Sequence, residues 1–315
     1  MPYGAVPGAG VPGYGVPGYG VPGLRGPGCR GAALRGAGGS RKSLFVEKLL
    51  ILCSAVVGAP RRGPLELLIM QPTTFCNIDC GYCYLPARSV RRVMTQETVA
   101  RLFEEVLSGP FCAERLTVVW HAGEPLIPGI DFYEQAFATI RRLNRGRVDV
   151  TQSFQTNGTL LTQAWVDFFH RHDVSLGISI DGPKWLHDMN RRTRKGAGSF
   201  GKTMAAVRLL QENRFPFHVI AVLTSASLSA ADEIFRFFVD NRIVDVGFNI
   251  EECEGANVSS SLGDTPYEDV RCFFERIAFL CADSGDTLLI SGLRSKSLHL
   301  VSRFVRPVQE QSCVL

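Results

Sequence analysis

The chain has 315 residues, 45% of them hydrophobic, enough to bury a full core with length to spare, so one sizeable globular domain with appendages is expected. Its net charge of +4 is concentrated in the first 42 residues, which hold Arg25, Arg30, Arg35, Arg41 and Lys42 and no acid, leaving 29 cations against 30 acids elsewhere. A near-neutral body gives no ground for a nucleic-acid or anionic-membrane partner. Ten cysteines, at 29, 53, 76, 80, 83, 112, 253, 272, 281 and 313, show no regular disulfide spacing and read as the reduced thiols of a cytoplasmic protein.

Residues 6 to 25 read VPGAG VPGYG VPGYG VPGLR, a pentad repeat in which Pro presets the first central position of a type II turn and Gly the second. Such a segment has little to bury, so residues 1–63 are expected to be a disordered tail and linker. Within it, LLILCSAVVGAP is far short of the roughly 20 apolar residues a bilayer span needs, and an internal signal sequence is the lesser reading.

From Leu65 the texture becomes apolar strands alternating with amphipathic helices. Strands are expected at 65–70, 116–121, 148–158, 174–182, 217–224 and 244–250. Helices fall between them at 95–107, with Thr95 as N-cap, at 131–143, 162–171, about 199–213 and 230–240. Six strands in strict alternation imply a parallel α/β sheet, because parallel neighbours need crossovers of this length. An incomplete βα barrel and a doubly wound sheet both suit, and either puts the chemistry at the C-terminal ends of the strands. After Ile250 the pattern breaks: one more amphipathic helix spans 267–283 and the remainder is polar and irregular. The expected divisions are therefore 1–63, a core at 64–251 and an extension at 252–315.

The stretch QPTTFCNIDCGYCYLP, residues 71 to 86, follows the first strand and holds Cys76, Cys80 and Cys83. Their spacing matches one stripe of a helix, which would make them core thiols, but Pro72, Asn77, Asp79 and Gly81 are poor helix-interior residues. Zinc could be completed by a residue such as His121, although the usual structural pattern pairs short C-x2-C knuckles. A third reading is an iron–sulfur cubane on three thiolates, its fourth iron left for a small molecule. Three other strand ends carry polar residues: HAGEPL (121–126), QTNGTLL (155–161) and SIDGP (179–183). Each alone is an ordinary turn, yet Asn157, Ser179 and Asp181 stand where polar groups can converge on one ligand.

With Tyr82 before its last cysteine, the triplet resembles the C-x3-C-x-aromatic-C signature of the radical S-adenosylmethionine (SAM) enzymes, and HAGEPL their Gly-Gly-Glu-Pro motif with Ala122 replacing the first glycine. The resemblance implies a partial (β/α)6 barrel and a [4Fe–4S] cluster on Cys76, Cys80 and Cys83, whose open iron chelates SAM and cleaves it to a 5′-deoxyadenosyl radical. It implies that Tyr82, Gly123, Glu124, Pro125, Asn157, Ser179, Asp181 and Arg192 contact SAM, Glu124 receiving the methionyl ammonium. Arg192 is chosen for the carboxylate because a guanidinium fork matches it, with Arg191 and Arg194 as neighbouring competitors.

From Leu65 to Gly263 the chain is similar to peptide maturases of this superfamily that carry a C-terminal SPASM domain, specifically the Grr-type enzymes that cross-link glycine-rich precursors into cyclophanes. The implied partners are such a precursor peptide and a cellular electron donor. SIDGP and GEP are shared with sulfatase maturases, which form formylglycine; the alternatives are that activity or a precursor-binding role without turnover. Cys253, Cys272, Cys281 and Cys313 lack SPASM spacing, so a truncated member is expected. Tyr14 and Tyr19, in their glycine-rich repeat, raise the lesser reading of a fused self-substrate.

Overall fold

The computed structural model describes residues 64–109, 112–263, 265, 267–284 and the backbone of 289–290. The chain divides into Met1–Arg61 and Arg62–Leu315, and every described residue belongs to the second unit. The expected tail at 1–63, its signal-like stretch, Tyr14, Tyr19 and Cys313 lie outside the described residues. No described helix is long and apolar enough to cross a membrane.

Seven strands form the main sheet: β1 (Leu65–Met70), β3 (Cys112–Trp120), β4 (Asp149–Thr156), β5 (Ser175–Ser179), β7 (His218–Leu223), β8 (Asp245–Ile250) and β9 (Leu289–Ile290). They lie side by side in chain order and every adjacent pair is parallel. A doubly wound sheet would reverse direction at a switch point. Here the strands follow one another in chain order with no switch point, the order of a partial βα barrel. Among the described residues β1 and β9 do not pair, so the barrel is open. The short β2 (Ile78–Cys80) and β6 (Arg191–Thr193) make a separate antiparallel ribbon.

The crossover helices are α1 (Gln96–Ser108), α2 (Ile130–Asn144), α3 (Gln163–Arg171), α5 (Phe200–Glu212), α7 (Ala231–Asp240) and α8 (Tyr267–Asp283). Thr95 caps α1 as expected, its Oγ1 accepting from the Thr98 N–H at 3.1 Å. Two short helices, α4 (Lys184–Asn190) and α6 (Ser225–Leu228), were not expected, nor were β2 and β6. The seventh main strand also exceeds the expected six: α8 returns the chain to pair β9 beside β8. A two-residue strand leaves no periodicity to read.

Alternation along the strands gives the sheet two chemically different faces. Toward the helices point Leu116, Val118 and Trp120 of β3 and Phe154 of β4, all fully buried, against Phe103, Phe137 and Phe168. The other, concave face mixes apolar side chains, Leu67, Ile69, Val119, Ile220 and Val222 among them, with a row of polar groups. Gln155, Gly177 and His218 lie side by side across β4, β5 and β7, and the neighbouring registers bring His121 and Asp245 into the same row. Gly177 leaves room there for the Gln155 and His218 side chains, which cross over it and would have to move aside for a Cβ. Closed βα barrels fill this space with branched apolar side chains. The polar row here lines a surface, with a cavity of about 370 Å³ bounded by His218, Ile220, Asp245, Gly247, Phe248 and Asn249.

Candidate active site

Because the main strands run parallel, their C-terminal ends meet at one rim, and the sequence motifs gather there. The loop after β1 bears the three cysteines. Cys80 ends strand β2 and the other two lie in irregular chain, so the helical-stripe reading of the triplet does not hold. The β2–β6 ladder pairs Cys80 with Arg191, Asp79 with Arg192 and Ile78 with Thr193, which ties the loop to the segment after β5.

Burial pushes the Cys76 thiol up to about 12 and the Cys80 thiol up to about 11, Glu124 adding to the effect at Cys76 while Arg191 opposes it at Cys80. Both are therefore protonated at neutral pH until a metal displaces the proton. Among the described residues no three His, Cys, Asp or Glu side chains converge on a point that one ion could occupy. Three thiolates on one loop are a donor set that suits a cubane with one iron left open.

The turn after β3 carries His121, Ala122, Gly123, Glu124 and Pro125. Its main chain passes directly beneath the cysteine loop, the Glu124 N–H donating to the Phe75 carbonyl at 2.9 Å. Gly123 has φ +64°, and a Cβ there would collide with the Thr73 and Phe75 carbonyls. Glu124 is buried, its Oε1 accepting from Thr156 Oγ1 (2.6 Å) and the Leu126 N–H (2.9 Å) and its Oε2 from the Asn157 N–H (3.0 Å). Burial raises its carboxyl above the ordinary range and those three donors pull it back. Glu124 thus knits the ends of β3 and β4 together. Pro125 is buried and its carbonyl accepts the Tyr133 hydroxyl at 2.5 Å.

Asn157, just past β4, reaches into the cysteine loop: its Nδ2 donates to Asn77 Oδ1 at 2.9 Å and lies 3.7 Å from Cys76 Sγ. Ser179 ends β5, its Oγ accepting from Gln155 Nε2 at 3.0 Å. Asp181 is buried. Its Oδ2 accepts the Tyr82 hydroxyl (2.7 Å), and its Oδ1 accepts Arg191 Nε (3.0 Å) and the Val222 N–H (3.1 Å). The Arg191 guanidinium stacks over the Tyr82 ring at 5.5 Å. Burial lifts the Tyr82 phenol well above its usual range.

The three neighbouring arginines have separate places. Arg191 is in the buried cluster. Arg192, one residue on in β6, faces the opposite side and is exposed, its Nε donating to the Asp188 carbonyl at 3.0 Å. Arg194 donates through Nε to the Cys76 carbonyl at 2.8 Å. Arg88, which the motifs did not single out, donates through Nη1 to the Cys80 and Cys83 carbonyls, both at 3.1 Å. Its only sequence signal is a cation five residues past the last cysteine.

Residues 70–238 match the Radical SAM superfamily. Among curated proteins, an uncharacterized protein of Synechocystis sp. is 44% identical over 227 residues, covering 70% of this chain and 57% of that protein. The serine-type anaerobic sulfatase-maturating enzyme of Bacteroides thetaiotaomicron is 31% identical over 190 residues, covering 58% and 45%. The chain thus spans about half the length of these relatives. Among solved structures, anSMEcpe with bound AdoMet and Cp18Cys peptide superimposes with a TM-score of 0.64 at 24% identity, covering 76% of this chain and 66% of that one. Streptococcus suis SuiB bound to precursor peptide SuiA does so with a TM-score of 0.57 at 16% identity, covering 86% and 65%. At these identities the structural likeness speaks for the fold.

Proposed function

The chain belongs to the radical SAM superfamily, whose members use a [4Fe–4S] cluster and SAM, and from that premise we propose that it modifies a ribosomally made peptide. Cys76, Cys80 and Cys83 would hold the cluster. Gly123, Pro125, Asn157 and Ser179 would border SAM, with Tyr82 and Asp181, bonded to each other, forming the wall behind it. Glu124 would bring its negative charge near the methionyl ammonium while it braces the turn. The carboxylate is assigned to Arg192 by the resemblance alone, since its side chain faces away from the Asp181 cluster and donates to the Asp188 carbonyl.

Once bound, the cluster and SAM supply a carbon-centred radical that takes hydrogen from an unactivated C–H bond. The observation that carries a peptide substrate is the open concave face, where Ser179, His218 and Asn249, set among apolar neighbours such as Ile220 and Val222, offer hydrogen bonds suited to amides. The relatives' names support this: anSMEcpe and SuiB were each solved with a peptide bound. The specific reaction we favour is a C–C cross-link, closing a cyclophane in a glycine-rich precursor and removing two hydrogens, with a cellular reductant as electron source. It rests on the similarity of HAGEPL (121–126) and FNIEE (248–252) to the Grr-type enzymes.

Formylglycine formation is the second reading, favoured by the 31% identity to a sulfatase-maturating enzyme. The test incubates reconstituted protein, SAM and reductant with a glycine-rich aromatic peptide and, separately, a serine-containing sulfatase peptide. Cross-linking and serine oxidation both remove two hydrogens, but only formylglycine reacts with a hydrazine. A hydrazine-silent loss on the glycine-rich peptide is expected. A hydrazine-reactive product on the sulfatase peptide would replace the first reading with the second, and peptide binding without any product would leave a binding role.

A further inference from the structure

The loop that carries the cysteines has no regular structure of its own beyond three residues of β2, yet cluster ligands must stand at fixed separations. What fixes them comes from outside. Arg194 holds the Cys76 carbonyl at 2.8 Å and donates again to the Arg88 carbonyl. That same Arg88 carbonyl accepts the Cys76 N–H at 3.1 Å. Arg88 spans the Cys80 and Cys83 carbonyls with one nitrogen, while its other, Nη2, pairs with Asp79 at 3.0 Å. Arg191 sits opposite Cys80 in the β2–β6 ladder, and its side chain grips Tyr82 through Asp181 and from above the ring.

We propose that Arg88, Arg191 and Arg194 form a guanidinium collar that positions the main chain at all three cysteines and sets a positive field around the group they hold. The proposal rests on the reading that they hold a cluster. Two of the arginines use a fork that lysine cannot reproduce: Arg88 bridges two carbonyls and a carboxylate, and Arg194 joins two carbonyls while lying 5.1 Å over the Phe75 ring. Groups just outside a metal's ligands orient those ligands, and nearby positive charge favours the more reduced, more negative cluster state. The collar arginines are positioning residues; none needs to touch SAM.

Two measurements on the full chain test this. In the metal-free protein, the rate at which Cys76, Cys80 and Cys83 react with an alkylating reagent is read cysteine by cysteine by peptide mapping. In the reconstituted protein, the midpoint potential is titrated by electron paramagnetic resonance. Arg88→Met and Arg194→Met are expected to keep the wild-type melting temperature, to label several-fold faster at the cysteines each arginine holds, and to shift the potential negative. Arg88→Lys, which keeps charge without the fork, should still label fast while its potential returns toward wild type. Arg191 is examined in Asp181→Asn/Arg191→Met, which strands no buried carboxylate and, being neutral in net charge, is read by labelling at Cys80 alone. Wild-type labelling rates and potentials in all these folded variants would overturn the collar. If even the wild type takes up no cluster, the reading of the site fails instead, and the labelling rates still decide whether the arginines position the loop.

Discussion

Ala122 and Gly123 take φ of 71° and 64°, side by side in the left-handed region, yet substitutions at the two should have opposite signs. Ala122 meets strain from its own Cβ, so Ala122→Gly is expected to stabilise by up to about 1 kcal/mol. Gly123→Ala adds the same strain and drives a methyl into the Thr73 and Phe75 carbonyls, so it should lower the melting temperature sharply. Thermal unfolding of the two variants decides the matter. His187 is a second residue whose surroundings predict a measurable trend. It is fully buried, its Nε2 bonded to Ser199 Oγ at 2.9 Å and its Nδ1 without a partner. Burial first, then Arg191, lowers its pKa from 6.5 to about 4. Between those values the unfolded chain takes up a proton that the folded chain refuses. Stability is therefore whole above pH 6.5 and falls by about 3 kcal/mol as pH drops toward 4. Denaturant midpoints measured across that range should slope more steeply for the wild type than for His187→Gln, in which His121 and His218, also lowered by burial, keep part of the slope. The sequence put a guanidinium near the site but could not divide the labour among Arg191, Arg192 and Arg194. Which side each faces depends on β6, three residues whose pairing with the cysteine loop leaves no local pattern.

At the scale of elements, the long strands and helices were legible because each pairs an apolar face with a polar one at its own period. The strand at 116–121 proved to start at Cys112, and the one expected at 174–182 covers only Ser175–Ser179. The rim residues after β5 are loop because Asp181 spends its carboxylate on Tyr82, Arg191 and Val222. What escaped were the short pieces, β2, α4, β6, α6 and β9, held by partners distant in sequence. Helix α8 shows which contacts matter at this scale. Phe273 is fully buried and meets Phe248 edge-on at 5.5 Å, whereas Arg276 pairs with Asp232 at the surface. Phe273→Ala is expected to cost about 3–5 kcal/mol and loosen the β8–β9 edge. Arg276→Ala should scarcely move the unfolding midpoint, since solvent screens the exposed pair. Equal losses in the two variants would contradict this account of the packing.

For the whole molecule, strand order decides between the two folds the sequence left open. Strict chain order in one parallel sheet winds a partial barrel, and that winding brings the cysteine loop, the GEP turn, Asn157 and Asp181 to a single rim. Alternating strands and helices could be read in advance; the direction of each crossover could not, because it depends on which edge the next strand joins. The polar row on the concave face was equally hidden, since Gln155, Gly177, His218 and Asp245 line up only once four strands are in register. The central claim is that this rim holds a cluster with one iron open to SAM. Its most direct test is the electron paramagnetic resonance spectrum of the anaerobically reconstituted, reduced protein before and after SAM is added, with Cys80→Ala as control. The account predicts a cluster signal that changes on adding SAM and is absent from the variant. A signal indifferent to SAM, or one that survives the loss of Cys80, would contradict it.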